Sequence, residues 1–332
     1  GFPVLADRLF QKNIHFVLSA FIFGILIIFI YEFARAVWFS CSQDAEIINS
    51  VQGTDPVTSY FKSDQLSVFE HPTYRSLKVA LALVFLTFLK EKIKIPGVVV
   101  FLLSTLLIVY IYLLSSLTGI LITCCIILLW FYKLLKVKRK LYLIIILIPL
   151  MIFLTYKISS LNERINYKIS DSWQKYKNEE MVLKKVDPRF NEWLTTIELI
   201  RENPYLGVGL NSRDILADQY AKNGYPYEAS IRLNSHNQFL ETQLAFGVPG
   251  TIILLWMLLT PLLRRKNSWD PDLVIPFWII VFVSMLFESI LVRQWGIMFF
   301  VLFYCILMIP DKAMMYNATD DRQNTLTGSN TY

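Results

Sequence analysis

The segment LTGILITCCIILLWFYKLLKVKRKLYLIIILIPLMIFLTY, residues 117–156, decides the fold. Two apolar runs, 117–135 and 141–156, flank the basic connector 136–140. An apolar run of roughly 18 residues is long enough to cross the bilayer core as a helix. The segment therefore predicts two membrane spans that are joined by a short basic turn.

Similar runs recur along the chain. Hydrophobic residues make up 55% of its 332 residues and charged residues only 17%, whereas soluble domains are about one quarter charged. We therefore predict an all-α, polytopic helical membrane protein with about eight spans and one long, partly helical loop. The predicted spans are Ile14–Phe39, Ser76–Leu89, Pro96–Leu114, Leu117–Leu135, Leu141–Tyr156, Asn237–Leu263, Leu273–Ser289 and Trp295–Pro310.

Charge in the connectors predicts the topology. The connectors 90–94, 136–140 and 264–266 are basic, whereas residues 40–70 are mostly acidic. Basic connectors stay in the cytoplasm, so residues 40–74 and 159–235 should lie on the outer face. Because the net charge of +6 resides in these connectors, it does not indicate nucleic-acid binding. The four cysteines form no pattern typical of disulfides, and no CxxC or HExxH motif indicates a metal site.

We expect four parts: N-terminal transmembrane helices in 1–158, a loop with short helices in 159–236, C-terminal transmembrane helices in 237–310, and a disordered cytoplasmic tail in 311–332. The chain begins at Gly1 without a recognisable signal peptide, which leaves room for one or two preceding spans. Within the loop we predict a helix over 161–185. A second, amphipathic helix is predicted over 189–202, with Trp193, Ile197 and Ile200 on one stripe.

His236 is the first candidate for chemistry. It lies in Asn234-Ser235-His236-Asn237, where the polar loop meets an apolar segment, and Glu241 follows about one turn later. A neutral imidazole can accept a proton near neutral pH, so His236 is a candidate general base. The alternative is a histidine at a helix end that bonds its own backbone.

Charged residues near the same face form the second group of candidates. Arg189 could clamp an anion such as a lipid pyrophosphate, because a guanidinium binds phosphate oxygens bidentately. The alternative is contact with lipid headgroups. Glu288 and Arg293 flank the last outer turn and could line the same pocket as His236, or form a structural ion pair. His71, the other histidine on the outer face, is a further candidate site residue; the alternative is that it only forms a helix-entry turn with Pro72. Weaker anion-binding candidates are Arg201, Arg213 and Arg232.

Four motifs in order resemble the signature of the O-antigen ligase and polymerase superfamily. They are Arg189–Trp193, Glu202–Gly209, Ser235–Glu241 and Phe246–Gly250. Residues 71–74 and 288–294 are also similar to the version found in Bacteroidetes-type members. The likeness extends from about His71 to Pro310. One departure is Ser116-Leu117-Thr118, because many relatives carry an arginine in this turn.

The resemblance implies a metal-independent, cofactor-free glycosyltransferase in the bacterial inner membrane with its active site facing the periplasm. Its donor would be a glycan on undecaprenyl pyrophosphate, and its acceptor a lipid A–core sugar or another lipid-linked glycan. His236 and Arg189 correspond to the essential loop residues of the family. Further residues that we expect at the substrate are Arg293, Glu288, His71, Glu241 and Arg232.

From the resemblance we expect O-antigen ligase-like transfer, with an O-antigen or exopolysaccharide polymerase as the alternative and protein glycosylation as a third acceptor class; the sequence itself does not show the acceptor. We expect inverting transfer, with His236 as base and Arg189 at the leaving pyrophosphate. The alternative from a different functional class is a polysaccharide transporter or flippase. Transporters usually place charges at mid-membrane and contain repeated halves. Here the polar residues gather at one face and no repeat is evident, which favours an enzyme.

Overall fold

The computed structural model describes residues 2–41, 60–134, 188–263 and 271–308, and the described part of the chain is all-α. Its helices are α1 Phe2–Cys41, α2 Ser63–Leu66, α3 Pro72–Ile93, α4 Gly97–Leu113, α5 Leu117–Leu134, α6 Pro188–Glu202, α7 Ser212–Lys222, α8 Pro226–Ser230, α9 Gln238–Leu263, α10 Pro271–Phe287 and α11 Gln294–Met308.

Apolar helices confirm the prediction of a helical membrane protein. Three of the described helices contain stretches long and apolar enough to cross a membrane: His15–Cys41, Pro72–Lys90 and Gln238–Thr260. Four shorter apolar helices correspond to α4, α5, α10 and α11. Seven of the eight predicted spans are therefore helices. The predicted span 141–156 and the predicted helix 161–185 lie outside the described residues.

One compact unit comprises the described residues within 1–123, 260–280 and 297–332. Helix α3 lies at its centre, packed against α1 and α4. Most of the α3 side chains between Leu77 and Leu89 are fully buried, although Lys78 shortens the apolar run there. Phe21, Phe85 and Phe303 add edge-on and tilted ring contacts with centroids 4.8–5.7 Å apart.

A buried ion network joins the helices of this unit. Arg75 in α3 lies 3.1 Å from a Glu70 carboxylate oxygen and 3.5 Å from one of Glu32 in α1. Lys78 pairs with the other Glu70 oxygen at 2.6 Å, and the Tyr110 hydroxyl donates to Glu32. Glu32, which is fully buried inside a predicted span, was not among the predicted site residues. Charges at this depth persist only when they are paired, and these are.

The second compact unit comprises the described residues within 124–259 and 281–296. Leu199, Leu216, Tyr220, Tyr225 and Leu244 form its buried apolar cluster. The fully buried face of α6 is not the predicted stripe, because Trp193, Ile197 and Ile200 are only half-buried. The buried positions of α6 instead include four polar residues: Asn191, Glu192, Thr195 and Thr196. This helix therefore turns a polar face inward.

Helix α9 is broken at Gly247, whose φ of 61° and ψ of −153° are not helical. The break releases two backbone carbonyls, those of Leu244 and Ala245. The N–H groups of Val208 and Gly209 donate to them at 2.8 and 2.9 Å. In return the N–H of Val248 donates to the carbonyl of Tyr205 at 3.0 Å. The Leu206–Leu210 loop is thus hydrogen-bonded into the helix break, so two separate sequence motifs form one structural unit.

Candidate active site

The loop that carries His236 is held from the next helix. One carboxylate oxygen of Glu241 accepts hydrogen bonds from the backbone N–H of Ser235 at 3.0 Å and from its hydroxyl at 2.8 Å. The side-chain oxygen of Asn234 accepts from the N–H of His236 at 3.3 Å. His236 itself has a φ of 45°, in the left-handed region that non-glycine residues seldom adopt. Such conformations cluster at functional sites, where surrounding contacts hold them in place.

Asn237 and Gln238 connect this loop to the turn between α10 and α11. The Asn237 side-chain oxygen accepts from the N–H groups of Phe239 and Leu240, which caps the start of α9. Its amide nitrogen donates to the carbonyl of Leu286 at 3.1 Å. The Gln238 side-chain oxygen accepts from the N–H of Leu291 at 2.7 Å. Neither residue was among the predicted site residues, although polar side chains at the start of an apolar helix are the signal that marks them.

The turn that these bonds position carries Glu288. One Glu288 oxygen, Oε2, lies 3.1 Å from Nδ1 of His236, and the other, Oε1, lies 3.1 Å from Nη2 of Arg189. The carboxylate is nearly buried, with 6% of its side chain exposed, whereas 25% of His236 and 32% of Arg189 remain exposed. The structure therefore brings together three predicted residues, and Glu288 is the bridge between the other two.

The pKa of His236 reflects this bridge. Burial of the imidazole lowers the pKa, but the hydrogen bond to Glu288 and the charge of that carboxylate raise it, with a smaller contribution from Glu192. Arg189 opposes them by lowering the pKa. The raising effects win, so the pKa of His236 lies above its ordinary value of 6.5. Among the described residues, none bonds the other ring nitrogen, Nε2. This geometry would suit a general base that a carboxylate orients.

Residues 98–255 match the family model for O-antigen ligase. The match confirms the resemblance to the O-antigen ligase and polymerase superfamily, and it supports an O-antigen ligase/polymerase-type membrane enzyme. The matched range contains Arg189, His236 and Glu241; Glu288 and Arg293 follow it, and His71 precedes it. No curated protein matches the chain significantly.

The remaining predicted site residues have other surroundings. Arg232 is mostly exposed and pairs with Asp214 at 2.9 Å, and its carbonyl accepts from Nε of Arg213. Arg293 is exposed and makes no ion pair or hydrogen bond within the described residues. His71 belongs to the first unit, where its Nδ1 accepts from the N–H of Thr73 at 3.4 Å and caps α3.

In the described parts of the chain, no group of three or more histidine, cysteine or acidic side chains is arranged to hold a metal ion.

Proposed function

We propose that this chain transfers a glycan from undecaprenyl pyrophosphate to a sugar hydroxyl, as an O-antigen ligase at the periplasmic face of the inner membrane. The observation that supports this proposal is the Glu288 carboxylate, which contacts a histidine base and an arginine at the same time. A base and an anion-binding cation on either side of one carboxylate suit a displacement in which a hydroxyl enters and a pyrophosphate leaves.

His236 acts on the acceptor in this proposal. The N–H at Nδ1 donates a hydrogen bond to the Glu288 carboxylate, so the lone pair of the imidazole is on Nε2. Nε2 takes the proton of the acceptor hydroxyl while the hydroxyl oxygen forms a bond to the anomeric carbon of the donor sugar. The bond between that carbon and the pyrophosphate oxygen breaks, and its electron pair leaves with the pyrophosphate. Attack opposite the leaving group inverts the anomeric centre. General-base assistance of this kind contributes about 10²–10⁴ in rate.

Arg189 acts on the donor. A guanidinium carries five N–H donors, so Arg189 can bond Glu288 and a phosphate oxygen together. Its positive charge stabilises the negative charge that develops on the leaving pyrophosphate. The bond to Glu288 also fixes the direction of the long side chain, which lowers the entropy lost on binding the donor.

The test is transfer of glycan from an undecaprenyl-pyrophosphate donor by the purified protein in nanodiscs. His236→Ala and Arg189→Ala should fold but lose at least about 10² in turnover. Arg201→Ala is the matched control, since Arg201 is an exposed arginine in the last turn of the same helix as Arg189. It should retain wild-type turnover. Wild-type turnover by His236→Ala would contradict the mechanism.

A ligase and a polymerase differ in the acceptor that receives the glycan. Deletion of the gene in its host, followed by electrophoresis of the lipopolysaccharide, distinguishes the two. We expect bare lipid A–core without attached glycan, as loss of a ligase produces. Lipopolysaccharide that carries a single repeat unit would instead identify a polymerase.

A further inference from the structure

The Leu206–Leu210 loop carries the most exposed large apolar side chains of the described residues. Leu210 is 89% exposed and Leu206 79%, and the preceding Tyr205 is 77% exposed. Single apolar side chains are common on protein surfaces. These three, however, belong to a stretch, 203–211, that contains no charged residue. Leaving it in water would forgo the free energy that burial of the leucines gains, so the loop needs an apolar partner.

Hydrogen bonds fix the height of this loop along α9. The stretch Gln238–Thr260 is long and apolar enough to cross a membrane, and the loop is bonded to the carbonyls of Leu244 and Ala245 within it. At 1.5 Å per residue these carbonyls lie about 9–11 Å from the Gln238 end, whereas the hydrocarbon core of a bilayer is roughly 30 Å thick. The loop therefore lies beside the predicted span and not beyond its end.

The exposed side chains of the loop continue an apolar face of α9. Phe246 and Val248 flank the break to which the loop is bonded, and both are exposed. Leu206, Leu210 and Phe246 border the same hollow. Three more exposed apolar residues follow along the span: Ile252, Ile253 and Trp256. Lipid tails are as apolar as leucine, so a surface of this kind on a membrane span suits acyl chains.

The backbone of the loop is bonded to the protein. All three N–H groups of residues 207–209 donate to backbone carbonyls. The carbonyl of Pro204 accepts from the side-chain amide of Gln243 at 2.7 Å, and that of Tyr205 accepts from the N–H of Val248 at 3.0 Å. Non-helical chain is tolerated at membrane depth only where its backbone groups have such partners, because lipid offers none. The loop thus faces outward with its side chains and inward with its polar backbone.

We infer that the Leu206–Leu210 loop is inserted into the membrane, with Leu206 and Leu210 among the acyl chains of the leaflet in which α9 begins. Connector charge alone places the whole segment 159–235 in the aqueous space. The inserted loop would be an exception within that segment, with the amphipathic ring of Tyr205 suited to the interface. It directly follows α6, so it would hold the end of the helix that carries Arg189 at the membrane surface. The inference does not depend on the proposed function.

Fluorescence quenching tests the location of the loop. Dansylalanine replaces Leu210, Ile253 or Asp218 in the full chain, which is reconstituted in nanodiscs. Ile253 is the lipid control in the α9 span, and Asp218 is the water control, exposed in α7 of the same unit. Phospholipids brominated along their acyl chains should quench positions 210 and 253 several-fold more than position 218. Aqueous iodide should show the reverse order.

Two results would overturn the inference. Strong iodide quenching at position 210, equal to that at 218, would place the loop in water. Resistance of position 210 to both quenchers would show that another part of the protein covers it.

A second measurement tests whether the leucines hold the loop in the lipid. With dansylalanine at position 205, the double change Leu206→Asn and Leu210→Asn should reduce quenching by brominated lipid and increase quenching by iodide several-fold. Ile231→Asn is the control, because Ile231 is also an exposed apolar residue of the second unit but lies outside the loop. It should leave both values unchanged. Unchanged values in the double variant would contradict insertion through these two side chains.

Discussion

Nδ1 of His236 lies 3.1 Å from Oε2 of Glu288, a residue 52 positions further along the chain. The contact joins the start of α9 to the turn after α10, and the amide of Asn237 braces it by bonding the Leu286 carbonyl. Because the partner of the imidazole is a nearly buried carboxylate, the contact sets both the direction of the ring and its proton affinity. Both effects can be measured through the pH dependence of transfer.

Glu288→Gln should move the acid limb of the kcat/KM profile to lower pH. The base must be neutral to act, so activity rises with pH through the pKa of His236, which lies above 6.5 in the wild type. Removing the carboxylate removes the hydrogen bond and charge that raise this pKa, whereas burial of the ring still lowers it. The rate at the plateau should also fall, because the ring loses its orienting partner. The measurement is glycan transfer by the purified variant across pH.

Glu241→Gln is the matched control for that profile. Glu241 is likewise buried, but its carboxylate bonds Ser235 rather than the imidazole. The variant should lower the plateau by loosening the loop, yet leave the midpoint of the acid limb where the wild type has it. An equal shift in both variants would show that Glu288 has no specific effect on the base.

Arg189→Ala should shift the acid limb in the opposite direction, to higher pH. The arginine lowers the pKa of His236, so its removal lets the carboxylate raise that pKa further. Turnover above the limb should fall by about 10²–10³, because a stabilising charge at the leaving group is lost. Arg189→Lys keeps the charge and should return the limb to its wild-type position, with only part of the rate restored. A profile that stays in place for Arg189→Ala would contradict the arrangement.

The sequence predicted the membrane helices well because a run of apolar residues is a local property. It also proposed His236, Arg189 and Glu288 as site residues, because His236 and Glu288 lie near the ends of apolar segments and Arg189 begins an amphipathic helix, and the structure brings the three into contact. It left open which carboxylate partners the histidine. Glu241 lies five positions after His236 and Glu288 lies 52 positions after it, and only the contacts of the α9 start with the end of α10 decide between them.

Two other features depend on packing between distant segments. Glu32 looks like an interruption of an apolar run, and its role follows only from Arg75 and Tyr110, which other helices bring to it. The buried polar face of α6 is equally unexpected, because hydrophobic spacing alone favoured the stripe at Trp193 and Ile197. In both cases a polar partner from elsewhere in the chain reverses the preference that hydrophobicity predicts.

Gly247→Ala should destabilise the second unit and abolish transfer. The backbone at Gly247 is in a region that is essentially restricted to glycine, which costs other residues about 1–3 kcal/mol. A Cβ there would also lie 2.7 Å from the N of Gly207, within the loop that is hydrogen-bonded to the break. Gly207→Ala should behave alike, with its Cβ 2.6 Å from the Leu244 carbonyl oxygen. Intrinsic fluorescence during heating of the purified variants measures the loss.

Gly24→Ala is the control for both glycine variants. Gly24 lies within α1, and a Cβ at this position meets no atom within 4 Å. Alanine is favoured over glycine in a helix by about 1 kcal/mol, so the unfolding temperature should stay the same or rise. If Gly247→Ala unfolds at the wild-type temperature and retains transfer, the break in α9 is not needed for the loop.

Arg75→Met should strongly destabilise the first unit. Arg75 is 3% exposed and lies between the carboxylates of Glu32 and Glu70, so its removal leaves the buried Glu32 without its cation and Glu70 with Lys78 alone. Breaking a buried pair in this way costs about 3–5 kcal/mol. Arg232→Met is the comparison, because the Arg232–Asp214 pair is largely exposed and such pairs contribute about 0–1 kcal/mol. The free energies of unfolding of the two purified variants in detergent should differ accordingly.

Adding Glu32→Gln and Glu70→Gln to Arg75→Met should recover part of the loss, since the uncompensated charges are then gone. Equal stability of Arg75→Met and Arg232→Met would mean that the network does not hold α1 and α3 together.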